Sequence, residues 1–348
     1  MMGGTFKKAL IFLAFSVPAA AAAVSITPVP FTAISGWSQD NLDEALVAFR
    51  RSCTNIRATA EIPVREWDRV CALALTGPGP ARGFFERNFT PVRISSGAEP
   101  LFTGYFEPEL QGARQKTGNY TVPLYRLPPE VETGATWKTR AEIESGLLSG
   151  RGLELVWLEN RVDAFFVHVQ GSARINLDDG STMRIGFAGR NGHRYRSVGR
   201  ELIRQGILRP EQASIRGIRD WAAANPSESA RALQHNTSFI FFQELQIADS
   251  SGPIGAMQVP LTPMRSVAVD NTYIPLGAPV WVRMAGGAAS INQLMVAQDT
   301  GSAVKGAQRA DIFFGTGEAA GDKAGNIRYS GEMITLIPNN AAARLRGQ

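Results

Sequence analysis

The chain has 348 residues, a formal net charge of +5 and 44% hydrophobic residues. That length holds one large domain or two ordinary ones, each able to bury a core, and a mild basic excess suits an anionic polymer such as a cell wall. Lys and Arg are nowhere dense enough to argue for nucleic acid, and two cysteines with three scattered histidines (His168, His193 and His235) offer no metal-ligand spacing, so neither metal nor cofactor is expected.

Lys7 and Lys8 precede an apolar run over residues 9–23 that closes on Ala21-Ala22-Ala23. A short positive start, an apolar stretch and a small-residue end read as a secretory signal peptide over residues 1–23. The run is short for a bilayer span, and an uncleaved anchor is the alternative. No cysteine follows it to accept a lipid. Ser38 or Asp40 is placed to cap a helix reaching Cys53. A second helix covers residues 67–75 and stops at Thr76-Gly77-Pro78-Gly79-Pro80. Leu42, Ala45, Leu46, Phe49 and Cys53 share one helical face, and Trp67, Val70, Cys71 and Ala74 share another. Both cysteines therefore point inward from neighbouring helices. In an oxidising compartment a Cys53–Cys71 disulfide is favoured over two buried thiols.

Beyond Pro80 the pattern becomes β-like. Short apolar runs at residues 101–106, 153–157, 165–170 and 183–188 predict strands, with turns at Asp179-Gly180 and Asn191-Gly192. Helices are predicted at 198–207, 214–224 and 226–234. Strands return at 239–245, 255–259, 280–284, 293–298, 312–314 and 333–337. Many short strands with Gly/Pro turns predict a mainly β fold of barrels, with a few helices, over a parallel doubly wound sheet. The Gly- and Ala-rich residues 315–325 read as a surface loop, and Arg344-Leu345-Arg346 as a solvated tail.

Three aspartates, Asp270, Asp299 and Asp311, each stand where a predicted strand meets a turn. On spacing alone they also read as ordinary turn residues that bond their own backbone. Asp311 opens the apolar run Ile312-Phe313-Phe314, where desolvation raises a carboxyl pKa, so it is a candidate general acid. Lys305 lies in the Gly-rich loop between Asp299 and Asp311.

These segments, with Thr103-Gly104-Tyr105, Gln170-Gly171-Ser172, and the stretch from Asn191-Gly192 through Tyr195-Arg196-Ser197 to Gly199, resemble the lytic murein transglycosylase A family. Its C-terminal domain is known for three aspartates. The similarity covers roughly residues 102–338. Ala173 stands where the family pattern has glycine, and the lipid-accepting cysteine of its best-known members has no counterpart here. The resemblance implies a double-psi β-barrel built from residues 24–106 and 238–348, a smaller β-barrel domain inserted over residues 107–237, and glycan in the groove between them. It implies cleavage of the β-1,4 bond after N-acetylmuramic acid without water, leaving 1,6-anhydro ends, with Asp311 as acid and then base. Asp299 would orient the loop or keep Asp311 protonated, and Asp270 would cap a turn or join the chemistry.

Thr103, Tyr105, Gln170, Ser172, Tyr195 and Lys305 are candidate substrate contacts. Tyr105 as a core aromatic, Lys305 as a solvated lysine, and the others as strand or turn residues are the alternatives. Glu107 and Glu109 are rivals for the acid role. Partners would be peptidoglycan strands, with cell-wall synthesis or division proteins as further candidates. The protein is expected to be a periplasmic monomer. A two-carboxylate hydrolase using Asp299 as base, and a non-catalytic wall-binding protein, are the competing readings.

Overall fold

The computed structural model describes residues 24–346 apart from residues 57–61, 78, 249, 285 and 287–289. The expected signal segment, residues 1–23, lies outside the described residues. The N-terminal part forms β1 (Ser25–Pro28), α1 (Leu42–Ser52), α2 (Arg65–Thr76) and α3 (Ala81–Asn88). The apolar stripes of α1 and α2 are buried, as a 3.6-residue period requires of a helix laid on a core. Cys53 and Cys71 join these helices in a disulfide with Cα atoms 5.3 Å apart. Asp40 does not cap α1. Its carboxylate takes both terminal nitrogens of Arg265 at 2.9 and 2.8 Å and the backbone N–H of Leu294 at 2.8 Å, while Asn41 holds the cap position with no side-chain bond to the helix backbone, its amide donating to Glu44 instead. A bidentate ionic pair is stronger than a cap bond, so the acid follows the arginine.

The chain continues through β2 (Phe89–Ser95) and β3 (Leu101–Glu107). It then runs through β4 (Glu109–Ala113), β5 (Val122–Tyr125), the single turn α4 (Arg140–Glu142), β6 (Glu154–Leu158), α5 (Arg161–Gln170), β7 (Ser172–Leu177) and β8 (Thr182–Arg190). Helices α6 (Val198–Arg204), α7 (Ile215–Ala224) and α8 (Pro226–Gln234) precede β9 (Ile240–Glu244). The remainder is β10 (Ser266–Val269), β11 (Pro279–Met284), β12 (Ile291–Asp299), β13 (Arg309–Thr316), α9 (Glu318–Gly325), β14 (Arg328–Tyr329), β15 (Gly331–Pro338) and α10 (Asn339–Arg346).

Two sheets result. Nine strands run in the order β1-β2-β15-β11-β12-β10-β13-β3-β14, and six in the order β5-β6-β4-β7-β8-β9. Most pairings are antiparallel, but β10–β12, β13–β3 and β4–β7 are parallel. In the six-stranded sheet the two edge strands β5 and β9 lie against each other, which curls it. The main core fills the nine-stranded sheet and its helices, around Trp281, Phe49, Phe85 and Phe89. In the second body α5 is a middle layer. Ala164 and Val167 face the sheet, and Phe165 and Phe166 face α6, α7 and α8. At the crossover between the sheets Glu107 is 1% exposed. Its carboxylate takes Arg184 Nη2 on both oxygens, at 2.8 and 3.0 Å, and the Thr316 hydroxyl at 2.7 Å. Among the described residues no helix is long and apolar enough to cross a membrane.

Four local expectations are corrected. Residues 165–170 are helical: Asn160 caps α5 by accepting from Asp163 N at 2.8 Å, and Gly171 closes it at φ 85°. Phe165, Phe166, Val167 and His168 are buried in succession, so the run carries no period that separates strand from helix. Residues 255–259 form turns inside an isolated bridge between Ile254 and Pro260, with Gln258 at φ 61°. The expected surface loop at 315–325 contains α9, whose Ala320 and Ala324 pack on Phe106. The expected tail at Arg344 belongs to α10: Ala341 and Ala342 are buried and Arg344 pairs with Glu66.

Candidate active site

Strand register assembles the site. In the parallel pair β13–β3, Asp311 stands opposite Thr103 and Phe313 opposite Tyr105. Across β10, Ala268 pairs with both Asp311 and Asp299. Alternation turns Phe102, Ala310 and Ile312 into the main core. It leaves Thr103, Tyr105, Arg309 and Asp311 together on the other face.

Asp311 Oδ1 accepts from the Thr103 hydroxyl at 2.6 Å. Among the described residues no donor reaches Oδ2, and no ion pair within reach claims the carboxylate. Burial pushes the Asp311 carboxyl above its usual value, against the Arg309 charge and the Thr103 bond, which pull it down. A carboxyl with one anchored oxygen, one free oxygen and a raised pKa is equipped to carry and release a proton.

Asp299 is also raised by burial, but its oxygens are taken. Oδ1 accepts from the backbone N–H groups of Ala256 and Thr300, each at 2.9 Å, and Oδ2 from the Tyr105 hydroxyl at 2.9 Å. Tyr105 itself is held well above its ordinary value by burial and by the Asp299 charge. It stays a neutral donor, its ring tilted against that of Phe313 with centroids 5.3 Å apart.

Asp270 is 4% exposed. It accepts from Gly306 N at 2.8 Å and from the Thr272 hydroxyl at 2.8 Å, with Lys305 Nζ 3.6 Å away. Burial pushes this carboxyl up, but those donors and the lysine outweigh it and leave it below the usual value. Asp270 thus pins the Gly-rich loop, and Lys305 is paired with it instead of with Asp311.

The remaining candidates are placed as follows. Gln170 Oε1 accepts from Phe106 N at 3.1 Å and so ties the end of α5 to β3. Ser172 is buried at the start of β7, opposite Gly186. Tyr195 lies within the second body, raised by burial against a hydrogen bond with Ser197. Glu107 is committed to Arg184, as described above. Glu109 accepts from Asn176 at 3.0 Å on the surface. Neither glutamate is a free acid beside Asp311. A cavity of about 900 Å³ opens between β4, α5, α7 and α8, with Phe106 and Glu318 on its wall. Its lining includes none of Asp270, Asp299, Asp311, Thr103 and Tyr105, and the acid–base geometry above marks the site better. Among the described residues no group of three His, Cys, Asp or Glu side chains is placed to hold a metal. Arg309, which donates to Thr103 beside the acid, was missing from the candidate site residues. Its two-residue spacing from Asp311 was the available signal, since that spacing puts both side chains on one face of a strand.

Known proteins resemble this chain in sequence and in fold. Residues 101–243 match the MltA specific insert domain and residues 265–337 match the 3D domain. The membrane-bound lytic murein transglycosylase A of Vibrio cholerae is 36% identical over 251 residues, which is 69% of this chain and 66% of that relative. The match therefore spans just under two thirds of the relative's own length. The crystal structure of a membrane-bound lytic murein transglycosylase from Agrobacterium tumefaciens is similar at TM-score 0.85 and 34% identity, covering 92% of this chain and 99% of that one. The crystal structure of Escherichia coli MltA with bound chitohexaose is similar at TM-score 0.71 and 28% identity, covering 92% and 93%.

Proposed function

The chain belongs to the membrane-bound lytic murein transglycosylase A family, and from that premise we propose that it cleaves peptidoglycan strands without water. The bond broken is the β-1,4 link from N-acetylmuramic acid to N-acetylglucosamine. Asp311 gives the proton on Oδ2 to the leaving oxygen as C1 takes on oxocarbenium character. The resulting carboxylate takes the proton of the same sugar's C6 hydroxyl while O6 bonds to C1. The product is a 1,6-anhydro end. Because the attacking hydroxyl belongs to the substrate, ring closure gains from proximity. The glycan lies along the Thr103–Tyr105 face, between the body over residues 24–106 and 238–348 and the one over residues 107–237. The protein acts in the cell envelope after export.

The observation that carries this reading is the contrast between the acids. Among the described residues Asp311 keeps one oxygen unclaimed, whereas both oxygens of Asp299 are held by Ala256, Thr300 and Tyr105. A second carboxylate with its acceptors filled is a poor water-activating base, so the two-carboxylate hydrolase is the weaker reading. An acid with no ion pair among the described residues argues against a binding-only role.

The test is mass spectrometry of muropeptides released from isolated peptidoglycan by the protein and by Asp311→Asn. Products lighter by one water, with anhydro ends and missing from the variant, are expected. A positioned acid contributes about 10²–10⁴-fold, so a variant retaining more than a few per cent of activity removes Asp311 from the role. Ordinary reducing ends would instead establish hydrolysis.

A further inference from the structure

Arg309 stands two residues before Asp311 on β13, and its guanidinium is partly buried beside the acid. It forms no ion pair with that acid. Instead Nη2 donates to Thr103 Oγ1 at 2.9 Å, and Nη1 donates to the carbonyl oxygens of Leu101, at 3.4 Å, and Ala310. Thr103 in turn donates to Asp311 Oδ1 at 2.6 Å. These bonds have one direction. A guanidinium is a donor only, so Thr103 Oγ1 must accept from it. The hydroxyl's single proton then goes to the acceptor within reach, and among the described residues that is Oδ1.

We infer that Arg309 is a positioning residue for the acid: acting through Thr103, it fixes Oδ1 as the acceptor oxygen of Asp311 and so assigns the transferable proton to Oδ2. This rests on the proposed role of Asp311 and deepens it. In the first half-reaction the O–H bond at Oδ2 breaks, the leaving oxygen gains the proton and the glycosidic C1–O bond breaks. The carboxylate that forms is held at Oδ1 by a hydroxyl that is already aligned, with a cation behind it. In the second half the O–H bond of the C6 hydroxyl breaks as O6 bonds to C1, and Oδ2 recovers the proton. Thr103 and Arg309 keep their bonds throughout, so neither step waits for them to reorganise. Without Arg309 the threonine hydroxyl can rotate, and the proton distributes over both carboxyl oxygens.

The pH dependence separates this from a merely structural role. The acid works only while protonated, so its titration sets the alkaline limb of kcat. Arg309 pulls that titration down. The experiment records kcat against pH for muropeptide release by the wild type, Arg309→Met, Arg309→Lys, Thr103→Val and the Arg309→Met/Thr103→Val double variant. It also measures glycan-strand affinity in the Asp311→Asn background with and without Arg309→Met.

Arg309→Met is expected to lower kcat about 10- to 100-fold, the scale of a misaligned catalytic group, and to move the alkaline limb to higher pH. Arg309→Lys keeps the charge, so its limb stays near the wild-type position while kcat recovers only in part. In the Thr103→Val background Arg309→Met costs little further kcat, because the relay is already broken. Glycan affinity is unchanged. An unmoved limb with lowered kcat and a lowered Tm would make Arg309 structural and overturn the inference, as would losses that multiply independently in the double variant. Activity in Asp311→Asn would remove the proposed function itself. An inactive Asp311→Asn beside an unaffected Arg309→Met would remove only the inference.

Discussion

Asp299 and Asp311 are both partly buried acids on one face of a sheet, and their neighbours hold them differently. Asp299 is held from both sides of the strand end by two backbone N–H groups and the Tyr105 hydroxyl. In Asp299→Asn the amide oxygen keeps the two backbone donors, and the amide nitrogen can donate to the Tyr105 oxygen. This variant is therefore expected to fold and to stay within about tenfold of wild-type activity, whereas Asp311→Asn loses about 10²–10⁴-fold. Parallel assays of muropeptide release compare them, and equal losses would return Asp299 to a direct role. The candidacy of Asp311 was legible from its place at the mouth of an apolar strand. The division of labour was not. Tyr105 and Asp299 are 194 residues apart, and Lys305 meets Asp270 across two intervening strands, β11 and β12. Such pairings are made by tertiary register, which a local pattern does not encode.

At the scale of elements, α9 shows why one stretch was misread. Residues 315–325 hold few large apolar side chains, so they lack the stripe that announces a helix. Their smallness is what lets α9 lie close on β3. A Cβ on Gly321 would come 2.8 Å from the Phe106 ring, and one on Gly104 would come 2.8 Å from the Ala324 Cα atom. Gly104→Ala sets new atoms against backbone and is expected to destabilise by about 1–3 kcal/mol. Gly325→Ala meets nothing within 4 Å. It should be neutral or slightly stabilising, because alanine loses less backbone freedom in a helix than glycine. Denaturant titration of both variants checks the contrast, and equal effects would mean that the close approach of α9 to β3 is unimportant. The N-terminal helices were legible for the opposite reason: α1 and α2 carry clear stripes. Their cross-link closes a sequence separation of 18 residues. Reducing it, or replacing both cysteines by serine, is expected to cost about 3 kcal/mol by the loop-entropy argument, read as a fall in the denaturation midpoint.

For the whole molecule, His168 in one body and the aspartates Asp299 and Asp311 in the other respond to acid in opposite senses. His168 on α5 is packed between Phe239 and Phe242, beside the buried Arg140 guanidinium. The backbone N–H of Ile240 donates to its Nδ1 at 3.2 Å, so the folded ring accepts there and is neutral. Burial, and then the Arg140 charge, hold its pKa well below the ordinary value. The unfolded chain binds this proton near pH 6.5. Below that pH the unfolded state carries one more proton than the folded state, and stability falls with decreasing pH by up to about 1.4 kcal/mol per unit until the folded ring titrates. Asp311 and Asp299 act in reverse. Burial raises their folded pKa values, so as pH falls between the folded and unfolded values the folded state takes up protons first and gains stability. As pH falls, the histidine window opens near its unfolded reference of about 6.5, whereas the aspartate window closes near theirs, about 4. Mild acid should therefore weaken the second body before it protonates most carboxylates. His168→Gln keeps an acceptor for Ile240 N and does not titrate. Urea titrations between pH 7 and pH 5 are expected to show a wild-type slope of stability against pH steeper than that of His168→Gln by close to one proton. Parallel slopes would show that His168 takes up its proton without leaving its place between the phenylalanines.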